Sequence, residues 1–523
     1  MPPKRAAIAC FLLCSAILIG WCARLDFARQ GDGWEYMATL EAVARHASVN
    51  VRPSDLSSLF AGIDTWRLRE PGALPARDAF ATELPHSFVT SVDGRAYARH
   101  FWIYSLVAVP ARWALRLAGG REFNALVVTN AWLFAAAIAM VLAAGAGCWR
   151  QRLAFVLLAG ATPVVWYLTF TGVEVFCWSL AVVALVALDR GWYWASALAT
   201  GLAATQNPPM VFLAAVPVVM AATRHEPRQA LAALLAASVA VVPVAFTWSH
   251  FGAPTLIATT LDFGLISISR TVSLLLDLNT GLLPYLPVLL VAAPWSAWRL
   301  IRRQDLGAAL VVLALVGMLL AVQTQVNWNS DGRGLRRYLV WMLPPLAWLV
   351  VRAWSSLATT RWVAAAVITS GTVLAIDRPS DVSWLEHGPL ARWVMCHAPA
   401  LYNPDFEVFA ERSAHRETPA MWLLEGRRDG WVEDLPVAHG YPSGEVTKLL
   451  VQRASAVDLP RRFRIDPSYR TELLRRAEAS ATPTYVHPPR GMVWATPGTI
   501  DGIYTPYSGR STAPLELTPA TRH

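Results

Sequence analysis

Seven stretches of this sequence contain no Asp, Glu, Lys or Arg: 123–149, 191–223, 229–261, 278–298, 306–330, 338–351 and 362–376. An eighth, 153–188, carries a single charge, Glu174. A bilayer core asks for about 17–25 largely apolar residues of helix, so these stretches read as spans of a polytopic membrane protein. Composition agrees, because charged residues make up 15% of the chain against roughly 25% in soluble domains. Mean hydropathy is correspondingly positive, at +0.38.

Lys4 and Arg5 precede an apolar run from Ala6 to Ala23. A cleaved leader needs small residues just before its cut. Gly20, Trp21, Cys22 and Ala23 suit that poorly, so an uncleaved first span is expected. Eleven spans follow, near 6–23, 123–147, 153–170, 172–188, 191–206, 208–223, 229–249, 281–298, 306–323, 338–351 and 362–376. This arrangement puts the two termini on opposite sides. Short connections on the N-terminal side hold twelve basic residues against Asp189, Glu226 and Asp305, an excess equal to the whole net charge of +9. The positive-inside rule makes that side cytoplasmic. The basic balance then needs no nucleic acid to explain it.

Two large segments fall outside, a first loop of 24–122 and a tail of 378–523. The loop has twelve basic and eleven acidic residues and the tail seventeen of each, as expected of ordinary folded soluble structure. The tail is long enough to bury a core and is expected to form a small α/β domain, with a helix over Tyr469–Ser480 and strand-like pieces at 491–495 and 502–505. Acceptor binding and structural capping both suit it. Five of the six cysteines lie in or beside spans, leaving Cys396 alone in the tail, so no disulfide framework is expected.

The loop opens with Gly31-Asp32-Gly33-Trp34-Glu35-Tyr36, and Met37, Leu40, Val43 and Ala44 follow at helical spacing. Asp32 with Glu35 in the first turn reads either as a helix cap resembling a capping box or as a carboxylate held at the membrane surface as a general base. Residues 100–117 are apolar enough for another span, but Pro110, Arg112 and Arg116 suit a helix lying in the interface. The scattered histidines read as solitary polar residues, with His100 the one placed to line a site. Gly145 and Gly147 read as helix packing rather than as a phosphate loop.

This organisation resembles the GT-C membrane glycosyltransferases, among them protein O-mannosyltransferases and the aminoarabinose transferases that modify lipid A. Many relatives open the first exterior loop with Gly-Asp-Glu-x-x-Tyr. Asp32 and Tyr36 match, while the second acid is Gly33 here and Glu35 is its candidate substitute. That departure leaves a divalent metal open, and no cofactor is firmly implied. The lone acid in Thr162-Pro163 to Glu174 falls where such enzymes often keep a second functional carboxylate; a solvated turn is the alternative, although intramembrane acids lean functional. Asp277-Leu-Asn279-Thr-Gly281 to Pro287, and Trp328 to Pro345 with its Arg336-Arg337-Tyr338-Leu339, resemble two further segments of the family.

Arg333, Arg336 and Arg337 lie in one exterior connection, against the bias the rest of the chain obeys. Guanidinium groups match phosphate oxygens in bidentate geometry, and Gly332 and Gly334 would let backbone amides approach the same group. The alternatives are pairing with Asp331 or with lipid headgroups.

The resemblance implies an inverting transfer of a sugar from a polyprenyl-phosphate donor to an envelope glycan, lipid or protein on the exterior face. Asp32 is the expected base, with Glu35 and Glu174 as further catalytic candidates. Arg333, Arg336, Arg337 and Tyr338 are the expected phosphate-binding set, and Tyr36 and His100 the acceptor or lining residues. A catalytically silent lipid-binding scaffold and a transporter or flippase are the competing readings, although no internal repeat of the transporter kind is found. Forty-three arginines against Lys4 and Lys448 point to a GC-rich bacterial genome, hence an inner membrane with a periplasmic active face.

Overall fold

The structure, a computed structural model, describes residues 3–22, 32–67, 87–257, 261–325, 328–329, 332–354, 356–376, 386–414, 437–440, 445–451, 459, 463–480, 484–488 and 492–494. The chain is mostly helical and divides into two compact units, Met1–Ser383 and Trp384–His523. The sequence-based boundary at 377 falls in an undescribed stretch beside that division.

In the first unit, α1 is Pro3–Cys22, α2 Gly33–His46 and α3 Pro53–Arg67. A small antiparallel hairpin, β1 Phe88–Thr90 with β2 Ala96–Ala98, leads into α4, Ile103–Leu117. There follow α5 Ala125–Ala144, α6 Trp149–Gly160 and α7 Glu174–Asp189. Helix is present at every one of the eleven apolar segments, through to Ser356–Ile376. Length and apolarity suffice for crossing a membrane in Glu122–Ala144, Pro227–Phe251 and Leu306–Gln323. A fourth arises if α6 and the 3-10 turn Pro163–Thr169, bent by 64°, form one span. The bend has a local cause: Pro163 offers no amide and forces Thr162 into extended backbone, whose hydroxyl then accepts from Val164.

Helix α5 is the centre on which α1, α4 and α7 pack. Polar ties fix the order of these layers. Ser105 of α4 donates to the Tyr36 carbonyl of α2 at 2.9 Å, and Tyr104 donates to Asn130 of α5 at 2.8 Å. Asn130 in turn donates to the Phe170 carbonyl at 2.8 Å.

One expectation for the loop helices needs correction. Residues 33–42 of α2 are all buried, beneath α3 and α4. Helix α4 does present Leu106, Val107, Trp113 and Leu117 outward, as an interfacial helix does. Its Arg112, however, points inward and bridges Glu41 at 2.7 Å and Glu122 at 3.0 Å. Removing one partner of a buried ion pair costs about 3–5 kcal/mol; with Glu122 35% exposed, the lower end applies. Arg112→Met is therefore expected to lower the melting temperature by several degrees, which thermal unfolding in detergent measures. Gly145 and Gly147 do not pack helices together. They form the turn out of α5, where Gly147 has φ +73° and Arg152 donates to the Leu142 carbonyl.

The second unit holds a three-stranded antiparallel sheet, with Val446–Val451 between Val437–Gly440 and Thr484–Val486. A second pair joins Phe463–Arg464 to Val493–Trp494. Helix Pro467–Ala479 supplies Leu473 and Ala477 to a core with Leu449, Val451 and Val486. The expected piece at 502–505 lies outside the described residues.

Candidate functional site

Asp32 stands at the threshold of α2 with its backbone already helical, at φ −65° and ψ −10°. Its carbonyl accepts from the Glu35 and Tyr36 amides at 3.0 and 3.3 Å, but its side chain makes no capping bond. Caps normally act from the extended region, where the side chain curls back onto the first turn, and the helical backbone here denies it that path. The carboxylate turns elsewhere. Its Oδ2 accepts from Arg337 Nη1 at 3.1 Å and lies 3.4 Å from His100 Nε2.

One turn further on, Glu35 is 4% exposed. Its Oε2 accepts from the His100 backbone amide at 2.8 Å and lies 3.1 Å from His100 Nδ1. Both ring nitrogens of His100 thus face carboxylate oxygens, the arrangement of a doubly protonated imidazole. Burial alone would lower the His100 pKa, but the Asp32 and Glu35 charges outweigh it and raise it to about 9. Burial likewise opposes the charge on Asp32, yet His100 and Arg337 hold its carboxyl below the usual range. The sequence-based view of His100 as solitary is corrected: folding carries it across 65 positions onto two acids. The ligand atoms of Asp32, Glu35 and His100 lie within 4.8 Å of one another; two carboxylates with an imidazole suit a borderline divalent ion, which would bind only by displacing a proton from His100.

Arg337 arrives on a hairpin, β3 Gly332–Arg333 paired with β4 Leu335–Arg336. Gly334 turns it at φ +75°, and a Cβ there would collide with the Trp166 ring. This glycine therefore lets the hairpin seat on Trp166 and Tyr285, rather than opening backbone to a phosphate as expected. The Tyr167 hydroxyl donates to the Leu335 carbonyl from the same side. The next loop locks the register. Asp277 Oδ1 accepts from the Asn279 and Thr280 amides at 2.9 Å, and the Thr280 carbonyl accepts from the Arg336 amide at 3.0 Å.

The three arginines consequently differ. Arg336 is 1% exposed, donates to Thr280 Oγ1 at 2.8 Å and lies 4.2 Å over the Trp328 ring, so it anchors the hairpin. The side chain of Arg333 lies outside the described residues. Of the described arginine side chains here, Arg337 is the one whose guanidinium reaches Asp32. It also donates to the Tyr338 hydroxyl at 3.0 Å and lies over that ring, which aims it.

Glu174 is not on a solvated turn. It begins α7 at 2% exposure, where Gly172 leaves room, since a Cβ there would strike its carboxylate and the Phe170 ring. Tyr36 is also buried, its ring edge-on to Tyr104 at 5.6 Å and 6.3 Å from His100. Burial, followed by the charges of Asp32, Glu174 and Glu35, pushes its phenol well above the ordinary value. Tyr36 is thus a neutral, buried hydroxyl beside the cluster. Trp166, Tyr167 and Thr280 are the supports that sequence reading missed; the first two lie beside Thr162-Pro163, where the chain's break gave the signal.

His100 sets a pH window. Its raised pKa contributes stability fully present below about 6.5, its unfolded value, and lost as pH rises through about 9. Activity dependent on the intact cluster is expected to fall across the same alkaline limb. His100→Gln should flatten that limb while lowering the rate by at most roughly 10²-fold; a pH–rate profile of both chains checks this.

No family model, curated protein or solved structure matches this chain. Its class is accordingly defined by what it shows itself: a mostly helical protein with helices able to cross a membrane, and an acid, histidine and arginine cluster assembled from three distant segments.

Proposed function

We propose that this protein is an inverting glycosyltransferase of the membrane, moving a sugar from a polyprenyl-phosphate donor to an envelope acceptor on the exterior face. The observation that carries this reading is the Asp32 to Arg337 pair at 3.1 Å, a base and an anion-binding group joined from 305 positions apart. The eleven-span arrangement, with a cytoplasmic N-terminus and an exterior tail in a bacterial inner membrane, belongs to the same proposal. It gives the isoprenoid chain a bilayer to lie in beside the site.

In the reaction the acceptor hydroxyl gives its proton to Asp32 as its oxygen bonds to the anomeric carbon. The bond from that carbon to the phosphate oxygen breaks, and the polyprenyl phosphate leaves with the electron pair. Arg337 meets the charge growing on that leaving oxygen, the role preorganised cations fill most effectively. His100 and Arg337 engage the same Asp32 oxygen, Oδ2. With both cations on Oδ2, Oδ1 is the oxygen offered to the acceptor proton. When the donor phosphate draws Arg337 away from Asp32, the carboxylate loses a stabilising cation and becomes more basic when it is needed. A divalent ion, if bound, would be held by Asp32, Glu35 and His100 and would add positive charge beside the phosphate.

The test is purified protein in nanodiscs supplied with a panel of polyprenyl-phosphate hexoses and pentoses together with an envelope glycan and lipid fraction as acceptor. Release of polyprenyl phosphate with formation of an inverted glycoside supports the reading. Donor binding without cleavage of any member would favour the silent scaffold instead.

A further inference from the structure

A cavity of about 370 Å³ opens between α2, α3 and α4, apart from the acid cluster and within the first unit. Ligand pockets begin near that size. Its wall carries Arg45, Arg112 and Arg116 against Glu41 and Glu122, with Ser58 and Phe123 among the remaining lining. The charges are not equally committed. Arg112, 7% exposed, is held between Glu41 and Glu122 at 2.7 and 3.0 Å, and Glu41 also accepts from Ser58 at 2.8 Å. These bonds build a rigid polar floor.

Arg45 and Arg116 sit higher, 40% and 69% exposed, and reach lining carboxylates only at 4.0 and 3.9 Å. Arg45 further donates to the Ser54 carbonyl and lies 3.7 Å from Asp55. With Asp55 counted beside Arg45, three guanidinium groups meet three carboxylates among the described residues, and the charge open to a ligand is that of the loosely held rim arginines, above all Arg116. A cavity with a fixed polar floor, a neighbouring aromatic ring and two loosely paired guanidinium groups at its rim suits a small polyol that carries one oxyanion.

We infer that this cavity is a binding site for an acidic or phosphorylated sugar. It shares α2 with the candidate site, and Glu41 lies six residues beyond Glu35, about 9 Å along the helix. An oligosaccharide acceptor bridges that interval. The term acceptor rests on the transferase reading, whereas the anion site stands on the cavity alone.

Calorimetric titration of the full chain in phosphatidylcholine nanodiscs tests it, with glucuronate, glucose 6-phosphate, glucose and inorganic phosphate as probes. Glucuronate and glucose 6-phosphate are expected to bind saturably and glucose at least roughly tenfold more weakly, about the loss of one charged hydrogen bond. Arg116→Ala, at an exposed position, should remove that preference without moving the melting temperature, and Asp32→Asn should leave it intact. Competition by phosphatidylglycerol in wild type but not in Arg116→Ala would support the same oxyanion chemistry with a lipid headgroup as its source. Competition by inorganic phosphate alone would support a free anion. Absence of saturable binding, or binding by Arg116→Ala and Arg45→Ala chains equal to that of wild type, would overturn the site. Donor cleavage, measured separately, reports on the transferase reading and is untouched by either result.

Discussion

A chain carrying Asp32→Asn is expected to fold, to reach the membrane at the wild-type level and to transfer sugar roughly 10²–10⁴-fold more slowly, the range a general base supplies. The expectation is sharp because the structure separates the two roles this residue could have had. A helix cap lost to alanine costs about 1 kcal/mol, whereas Asp32 makes no capping bond and asparagine would still satisfy Arg337. The melting temperature should therefore move by only a few degrees. Its pH dependence should move more, because His100 keeps Glu35 but loses the Asp32 charge, one of the two that raise its pKa. Donor cleavage by nanodisc-embedded protein, with thermal unfolding in parallel, measures both. A slow but well-folded chain fits the base role; full activity would return Asp32 to the status of an ion-pair residue.

The second large effect is expected at Arg337. Arg337→Ala removes both the clamp on Asp32 and the cation offered to the leaving phosphate, and should slow turnover by roughly 10²–10³-fold. Arg337→Lys should recover only part of that loss, since an ammonium is a point charge without the planar fork that matches phosphate. The substitution should act on both kcat and KM for the donor, because the ground-state phosphate is bound by the same group. Arg336→Lys offers the contrast. Arg336 is buried on Trp328 and Thr280, so its replacement should lower stability and loosen the hairpin that carries Arg337. Kinetics at saturating donor, compared with unfolding temperatures, separates the two arginines.

Much of the fold was legible because apolar run length is a direct consequence of helix geometry in a bilayer. Helix appears at each of the eleven segments, and the tail helix expected at 469–480 spans Pro467–Ala479. Shapes inside the first loop were less legible. A capping pattern around Asp32 says nothing of the backbone angle that decides whether the side chain reaches the first turn, and α2 is enclosed because α3 and α4 close over it. The site was half readable. Asp32 and Glu35 were singled out by their motif, His100 by its place before the interfacial helix and Arg337 by charge in an unusual place, and they do converge. Their convergence was not readable, since it depends on contacts 65 and 305 residues apart. Glycines misled for a similar reason: Gly334 looked like room for a phosphate and is room for Trp166. The comparison of Arg336 with Arg337, neighbours in sequence that turn to different partners, Thr280 and Asp32, shows why composition alone could not assign the phosphate site.

The central claim is that the Asp32 and Arg337 pair is the working centre of a lipid-phosphate-dependent sugar transfer. The most direct measurement is the profile of lipid-linked sugars and envelope glycans in a strain lacking the gene, complemented with wild type or Asp32→Asn at matched membrane levels. A missing sugar that wild type restores and Asp32→Asn does not, with the polyprenyl-phosphate donor accumulating, is the predicted result. Equal restoration by both chains, or an unchanged glycan profile in the deletion strain, would contradict it.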